Sequence, residues 1–174
     1  MTIESFASNA PDNSSLLQLA KFTFLIPDKP YLKYFCQNMS LPSVSTGEVE
    51  VPTPFSNTFR HGDKLRFEAF TISALVDEDL RVWEESYKWL VSLTRPQNWE
   101  EYAKKTVRDI QTPLYFDGYL TINTNANRPN LRVKFHNCHP TSIGGLNFDT
   151  KVDADNIPTF DITFRYDLYE IERV

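Results

Sequence analysis

Cysteine and glycine are scarce in this chain, and it has neither a long apolar run nor a cationic cluster. Each shortage removes a class of function. Two cysteines in 174 residues, Cys36 and Cys138, are too few for the disulfide framework of a small secreted domain. The N-terminus shows no secretory leader pattern, so cytoplasmic folding is expected and the sequons at Asn13-Ser14-Ser15 and Asn38-Met39-Ser40 are read as chance. No apolar stretch approaches the roughly 20 residues that cross a bilayer, so membrane insertion is not expected. The formal net charge is -5, with Lys and Arg scattered along the chain. A grip on nucleic acid needs clustered cations to neutralise phosphates, and none is found.

Recognisable chemistry is missing too. No G-x-S-x-G, P-loop, H-E-x-x-H or Rossmann fingerprint occurs. His136-Asn137-Cys138-His139 is the one dense group of metal-capable side chains, but these spacings splay the side chains apart and no second pair completes a tetrahedral set. Asp149 to Asp155 falls short of a calcium loop, lacking the required Gly and the closing Glu. Five glycines leave little pliant chain for an active-site lid. No catalytic, cofactor-binding or metal-binding residue is assigned, and an enzyme is not expected.

What is present is aromatic and alternating. Aromatic residues make up 14% of the chain and prolines number 11, a balance that leans toward β-structure with firm loops. The clearest element is Thr159 to Leu168: Phe160, Ile162, Phe164, Tyr166 and Leu168 point one way, and Thr159, Asp161, Thr163, Arg165 and Asp167 the other. That period of two predicts one long half-buried strand. Before it, His139 to Asp149 reads as a loop, a Gly hinge and a short alternating strand, followed by a polar turn at Asp153 to Pro158.

From the start, residues 1–15 read as a flexible arm. A strand ends before Pro27, and a second runs from Leu32 to Asn38. Val44 to Gly62 reads as a protruding hairpin, in which Glu48-Val49-Glu50-Val51 pairs with Thr58-Phe59-Arg60 across a tip holding Pro52, Pro54 and Phe55, although spacing alone fits a folded-back surface loop as well. A lone two-stranded ribbon is marginal in water, so it must lean on its own body or on a neighbouring copy. Lys64 to Val76 alternates, Leu65 and Phe67 inward, with a phase change near Ala69 that suggests a bulge. Asp77 is a good N-cap for a helix from Glu78 to Leu93, whose inward stripe is Leu80, Trp83, Tyr87, Leu90 and Val91. A short second helix fits Trp99 to Ile110, and Leu114 to Ile122 pairs with Leu131 to Phe135 across an Asn-rich turn at Asn123 to Asn130. The sum is one domain over residues 1–174, mainly β (α+β): an antiparallel β-sandwich or barrel with one packed helix and the hairpin arm.

The order of these features resembles the tail tube protein family of contractile-tailed bacteriophages. The residues that carry the resemblance are Phe35-Cys36 followed by Leu41-Pro42, the peripheral ribbon, Arg66-Phe67 entering a strand, the Trp-containing helix after Asp77, and the block His139 to Asp149 closing on Phe160 and Tyr166-Asp167-Leu168-Tyr169. The likeness spans about residues 17 to 170 and extends to the tube proteins of type VI secretion and extracellular injection systems. The Pro-Thr-Pro tip and the Asn-rich turn have no counterpart in that pattern.

The resemblance implies hexameric rings that stack into the inner tube of a tail, a conduit for genome ejection in the virion, assembled in the host cytoplasm. Inner sheets of neighbouring subunits would join into one barrel around a lumen. The implied partners are further copies of the chain, a tail sheath protein, baseplate and tail terminator proteins, and DNA in transit without specific binding. Val49, Val51, Pro52, Pro54, Phe55 and Phe59 would form an inter-ring docking arm, while Asp161, Thr163, Arg165 and Asp167 would face the lumen. The acidic balance would keep a polyanion from sticking, over the roughly 8–10 Å that salt permits. The alternatives are a baseplate tube initiator, an injection-system tube of the same fold, and a monomeric β-sandwich module that uses its Pro-rich and Asn-rich loops to bind protein or glycan.

Overall fold

The structure is a computed structural model in which residues 15–94, 114–151 and 157–174 are described. In chain order the elements are β1 (Phe22–Leu25), α1 (Pro30–Phe35), β2 (Cys36–Met39), β3 (Val44–Pro52), β4 (Asn57–Phe67), β5 (Phe70–Leu75), α2 (Arg81–Thr94), β6 (Phe116–Asn123), β7 (Pro129–Ile143), β8 (Thr159–Arg165) and β9 (Tyr169–Arg173). Seven strands form one antiparallel sheet in the order β1-β6-β7-β8-β5-β2, with β9 also on β7. Strands β3 and β4 form a separate ribbon.

The large sheet folds over on β7, whose first half pairs with β6 and β9 and whose second half pairs with β8. The corner is Asn137, at φ 56°, in the left-handed region that Asn tolerates better than most residues. Its amide donates to Asp117 Oδ1 at 3.2 Å, and its side-chain amide donates to Asp167 Oδ2 at 2.6 Å. Lys134 completes the group through Asp117 Oδ2 at 3.1 Å. Burial works against a charge on Asp117, but the Asn137 amide and Lys134 outweigh it and hold the carboxyl below its usual range.

Between the two limbs lies an aromatic core centred on Phe70, which is fully buried. Its ring stacks on Phe164 at 5.2 Å and meets Phe135 at 4.8 Å, Phe24 at 5.8 Å and Tyr166 at 5.6 Å. The alternation read in Thr159 to Arg165 is the cause: Phe160, Ile162 and Phe164 are buried and the intervening side chains are not. Helix α2 closes one side of the core through Val82, Ser86 and Trp89, and the Trp89 indole donates to Leu114 O at 3.3 Å.

Several expectations need correction. Leu32 to Phe35 is helix, not strand: Pro30 sits in the first turn, where a missing N–H costs nothing, and the inward residues Leu32, Phe35 and Cys36 are spaced three and four apart, a helical interval. Helix α2 starts at Arg81, not Glu78, because Leu80 has φ 56°; Asp77 still caps it from one turn away, accepting from the amides of Arg81 and Val82 at 3.0 and 3.1 Å. The buried stripe is accordingly Val82, Ser86 and Trp89, while Trp83 and exposed Tyr87 stack on each other 5.3 Å apart.

The stretch around His139 and Pro140 continues strand β7, with a register shift at Pro140, and Leu146 to Asp149 is irregular. The long terminal strand is two strands, broken at Tyr166 to Leu168, and Leu168 is exposed. Near Ala69 the chain leaves the ribbon and enters the large sheet, so β4 and β5 are separate strands instead of one bulged strand, and Leu65 is exposed. Residues 1–14 of the arm, the helix placed at Trp99 to Ile110, and Asp153 to Asn156 of the expected turn lie outside the described residues.

Candidate functional site

Two surfaces are candidates for contact with other chains, the ribbon and the margins of the sheet. Strands β3 and β4 pair from Val44↔Phe67 to Pro52↔Asn57, so the ribbon extends beyond the sequence reading of Val44 to Gly62. Among the described residues it joins the body at its root: Phe67 packs edge-on against Tyr166 and Tyr169, and the Arg165 guanidinium donates to Phe67 O at 3.3 Å. Further out, the register shifts between Thr46 and Glu48, where Gly47 lies against Gly62. A Cβ on Gly62 would stand 2.7 Å from Gly47 O.

Beyond this crossing the arm residues divide between two faces. Val49↔Arg60 and Val51↔Thr58 share one face, and Glu50↔Phe59 lies on the other. Pro52 ends the pairing and Pro54 sits in the turn, closed by the Thr53 amide donating to Ser56 O at 3.0 Å. Phe55 at the tip is 100% exposed and Phe59 63%, so the ribbon holds out apolar surface that none of the described residues covers.

The residues expected to face a lumen are brought together with one exception. Asp161, Thr163 and Arg165 line the outer face of β8. The Ser73 hydroxyl donates to Asp161 Oδ1 at 2.5 Å, the Thr71 and Thr163 hydroxyls lie 3.3 Å apart, and the Thr141 hydroxyl donates to Thr163 O at 3.2 Å. Asp167 instead occupies the turn before β9, bonded to Asn137. This face is therefore rich in hydroxyls, and its Asp161 and Arg165 charges cancel; the acidity of the chain is not concentrated there.

The margins were not visible in the sequence. Among the described residues β1, β2 and β9 each pair on one side only, and β7 from His139 to Ile143 pairs only with β8. Their backbone groups form rows open to a further strand. The members of the His136 to His139 group go separate ways: His136 Nε2 lies 3.5 Å from Glu170, the His139 ring meets Tyr115 at 5.1 Å, and Cys138 is buried beside Gly118, its thiol pushed up to about 12 by burial.

The chain matches the family model for phage tail tube protein over residues 6–172. No curated protein matches it. Solved structures share the fold at low identity. The anti-feeding prophage tube-terminating cap is 15% identical, with 100% of both chains covered and a TM-score of 0.65. A chain of the 6-fold symmetrised anti-feeding prophage baseplate is 10% identical over 92% of this chain and 97% of its own, also at 0.65. The sheath-tube complex of an extracellular contractile injection system in its extended state gives 15% identity, 100% and 99% coverage and 0.57. With the family model spanning nearly the whole sequence, the protein belongs to the phage tail tube protein family.

Proposed function

We propose that the chain is a structural subunit that forms hexameric rings, stacked into the inner tube of a contractile tail and serving as the conduit for genome ejection. The observation that carries this reading is the ribbon, uncovered among the described residues: a two-stranded arm with an exposed Phe at its tip is marginal alone, and another copy supplies the partner surface. Within a ring, the open margin of β2 on one copy meets the margin of β7 from His139 to Ile143 on the next. These are different surfaces, so the contact is head-to-tail, the kind that generates a ring when its rotation closes. Six-fold closure is supported by the symmetry of the anti-feeding prophage baseplate, whose chain shares the fold.

In that ring the outer face of β8 turns toward the lumen. Its hydroxyls and cancelling charges offer DNA no array of cations to hold it, so the polymer passes without a specific site. A sheath accompanies the tube, with baseplate and terminator proteins at its ends; the related structures are a tube-terminating cap, a baseplate chain and a sheath-tube complex of other particles. A second reading places the chain in a tube-initiating or terminal ring, favoured by its likeness to cap and baseplate chains.

The test replaces residues 49–60 with an Asn-Gly turn joining Glu48 to His61, which are paired across the ribbon. The shortened chain should keep its circular dichroism and melting temperature yet form no tubes in negative-stain images where the unaltered chain does. Tubes of unchanged length and abundance would remove the ribbon from the assembly.

A further inference from the structure

We infer that the ribbon tip of one copy seats its Phe55 ring in the cleft formed by Val76, Leu146, Phe148, Ile157 and Pro158 of a copy in the adjacent ring. The inference rests on the stacked-ring reading and names the receptor that reading leaves open. The cleft has a volume of about 560 Å³, ample for an aromatic ring. Phe148 is 81% exposed and Ile157 68%, large apolar side chains that their own fold leaves in water.

Placement within the fold favours a second copy as the occupant. Strands β5 and β8 pair from Phe70↔Phe164 to Leu75↔Thr159. The ribbon joins the body at the Phe70 end, through Phe67 and Arg165. The cleft lies at the other end, where the Val76 amide donates to Pro158 O at 3.0 Å. Six residues of strand, about 17–20 Å, separate the two. The ribbon's root and the cleft are thus at opposite ends of the same strands, the polarity that a head-to-tail stack of identical units requires.

Buried area agrees with a contact that works only in an array. The rings of Phe55 and Phe148 bring roughly 150–250 Å² each, well below the roughly 1,600 Å² of a stable pairwise complex. One such contact does not hold two free chains together. Repeated around a ring it does, so rings should add cooperatively.

The test is disulfide trapping in tubes co-assembled from an affinity-tagged Phe55→Cys chain and an untagged Phe148→Cys chain, with an added oxidant. The expected product is a tagged-untagged heterodimer on non-reducing gels, absent when either variant is oxidised alone. A Phe55→Ala chain should need about tenfold more protein to polymerise. Where loss of a ring blocks polymerisation, the neighbouring pair Ser56→Cys and Asn147→Cys takes its place. Tubes that form without the heterodimer from either pair, or that trap tip to tip, overturn this contact while leaving the stacked tube intact. Failure of the unaltered chain to form tubes at any concentration overturns the tube reading itself.

Discussion

Replacing Gly62 by Ala should loosen the ribbon and leave the body untouched. The added Cβ would stand 2.7 Å from Gly47 O and 2.9 Å from Gly47 C, both backbone atoms that cannot swing aside. Gly62 is not in the left-handed region, so the cost is steric alone. Overpacking of this kind costs about 1–3 kcal/mol, a large fraction of what a two-stranded ribbon possesses. Hydrogen exchange at the amides from Glu48 to Val51 should accelerate by roughly 5- to 150-fold, at about tenfold per 1.4 kcal/mol. The melting temperature should hold, because no fully buried core residue lies in the ribbon. Gly47→Ala is the matched control: nothing lies within 4 Å of its added carbon, so exchange should stay as in the parent. Equal exchange in both variants, or a lowered melting temperature in Gly62→Ala alone, would refute the reasoning.

Phe70→Ala removes the ring at the centre of the aromatic core and should cost about 3–5 kcal/mol in urea unfolding; a loss under 1 kcal/mol would mean that the core closes without it. Asp117 and Asp77 are both held below the ordinary carboxylate value of 3.8, in each case by backbone amides that overcome burial. Their contribution is therefore present above that value and lost as pH falls through the lowered ones, so urea midpoints should fall below pH 3.8. Asp117→Asn should be less stable at pH 7 but show a shallower acid loss; parallel curves would contradict the corner network. Burial pushes the Cys36 thiol up to about 11 and the Cys138 thiol to about 12, so neither should react with iodoacetamide in the native chain at pH 8. Rapid labelling of Cys138 would show that the β7 corner opens.

The sequence disclosed what alternation can disclose. Phe160, Ile162 and Phe164 are buried as their spacing requires, and the ribbon pairs Val49 with Arg60 and Val51 with Thr58 beneath its Pro-rich tip. Periodicity misled where a single dihedral angle decides the outcome. Leu80 in the left-handed region delays the helix by three residues and turns its face, and Asn137 bends β7 where the sequence showed only a cluster of polar side chains. Leu32 reads as part of a strand, but Pro30 ahead of it and the three-and-four spacing of Leu32, Phe35 and Cys36 carry the helical signal. Strand margins were beyond reach, since which strand pairs with which depends on contacts far apart in the chain, such as β5 with β8. The exposed cleft at Phe148 escaped for the same reason, being formed from segments about 70 residues apart.

The most direct measurement is a cryo-electron microscopy reconstruction of whatever the purified chain forms at high concentration. The account predicts a hollow tube of stacked rings in which the β2 margin of each subunit carries a neighbour's β7 strand and the outer face of β8 borders the channel. A chain that stays a single copy, with its ribbon folded onto its own body and its sheet margins covered, would contradict it.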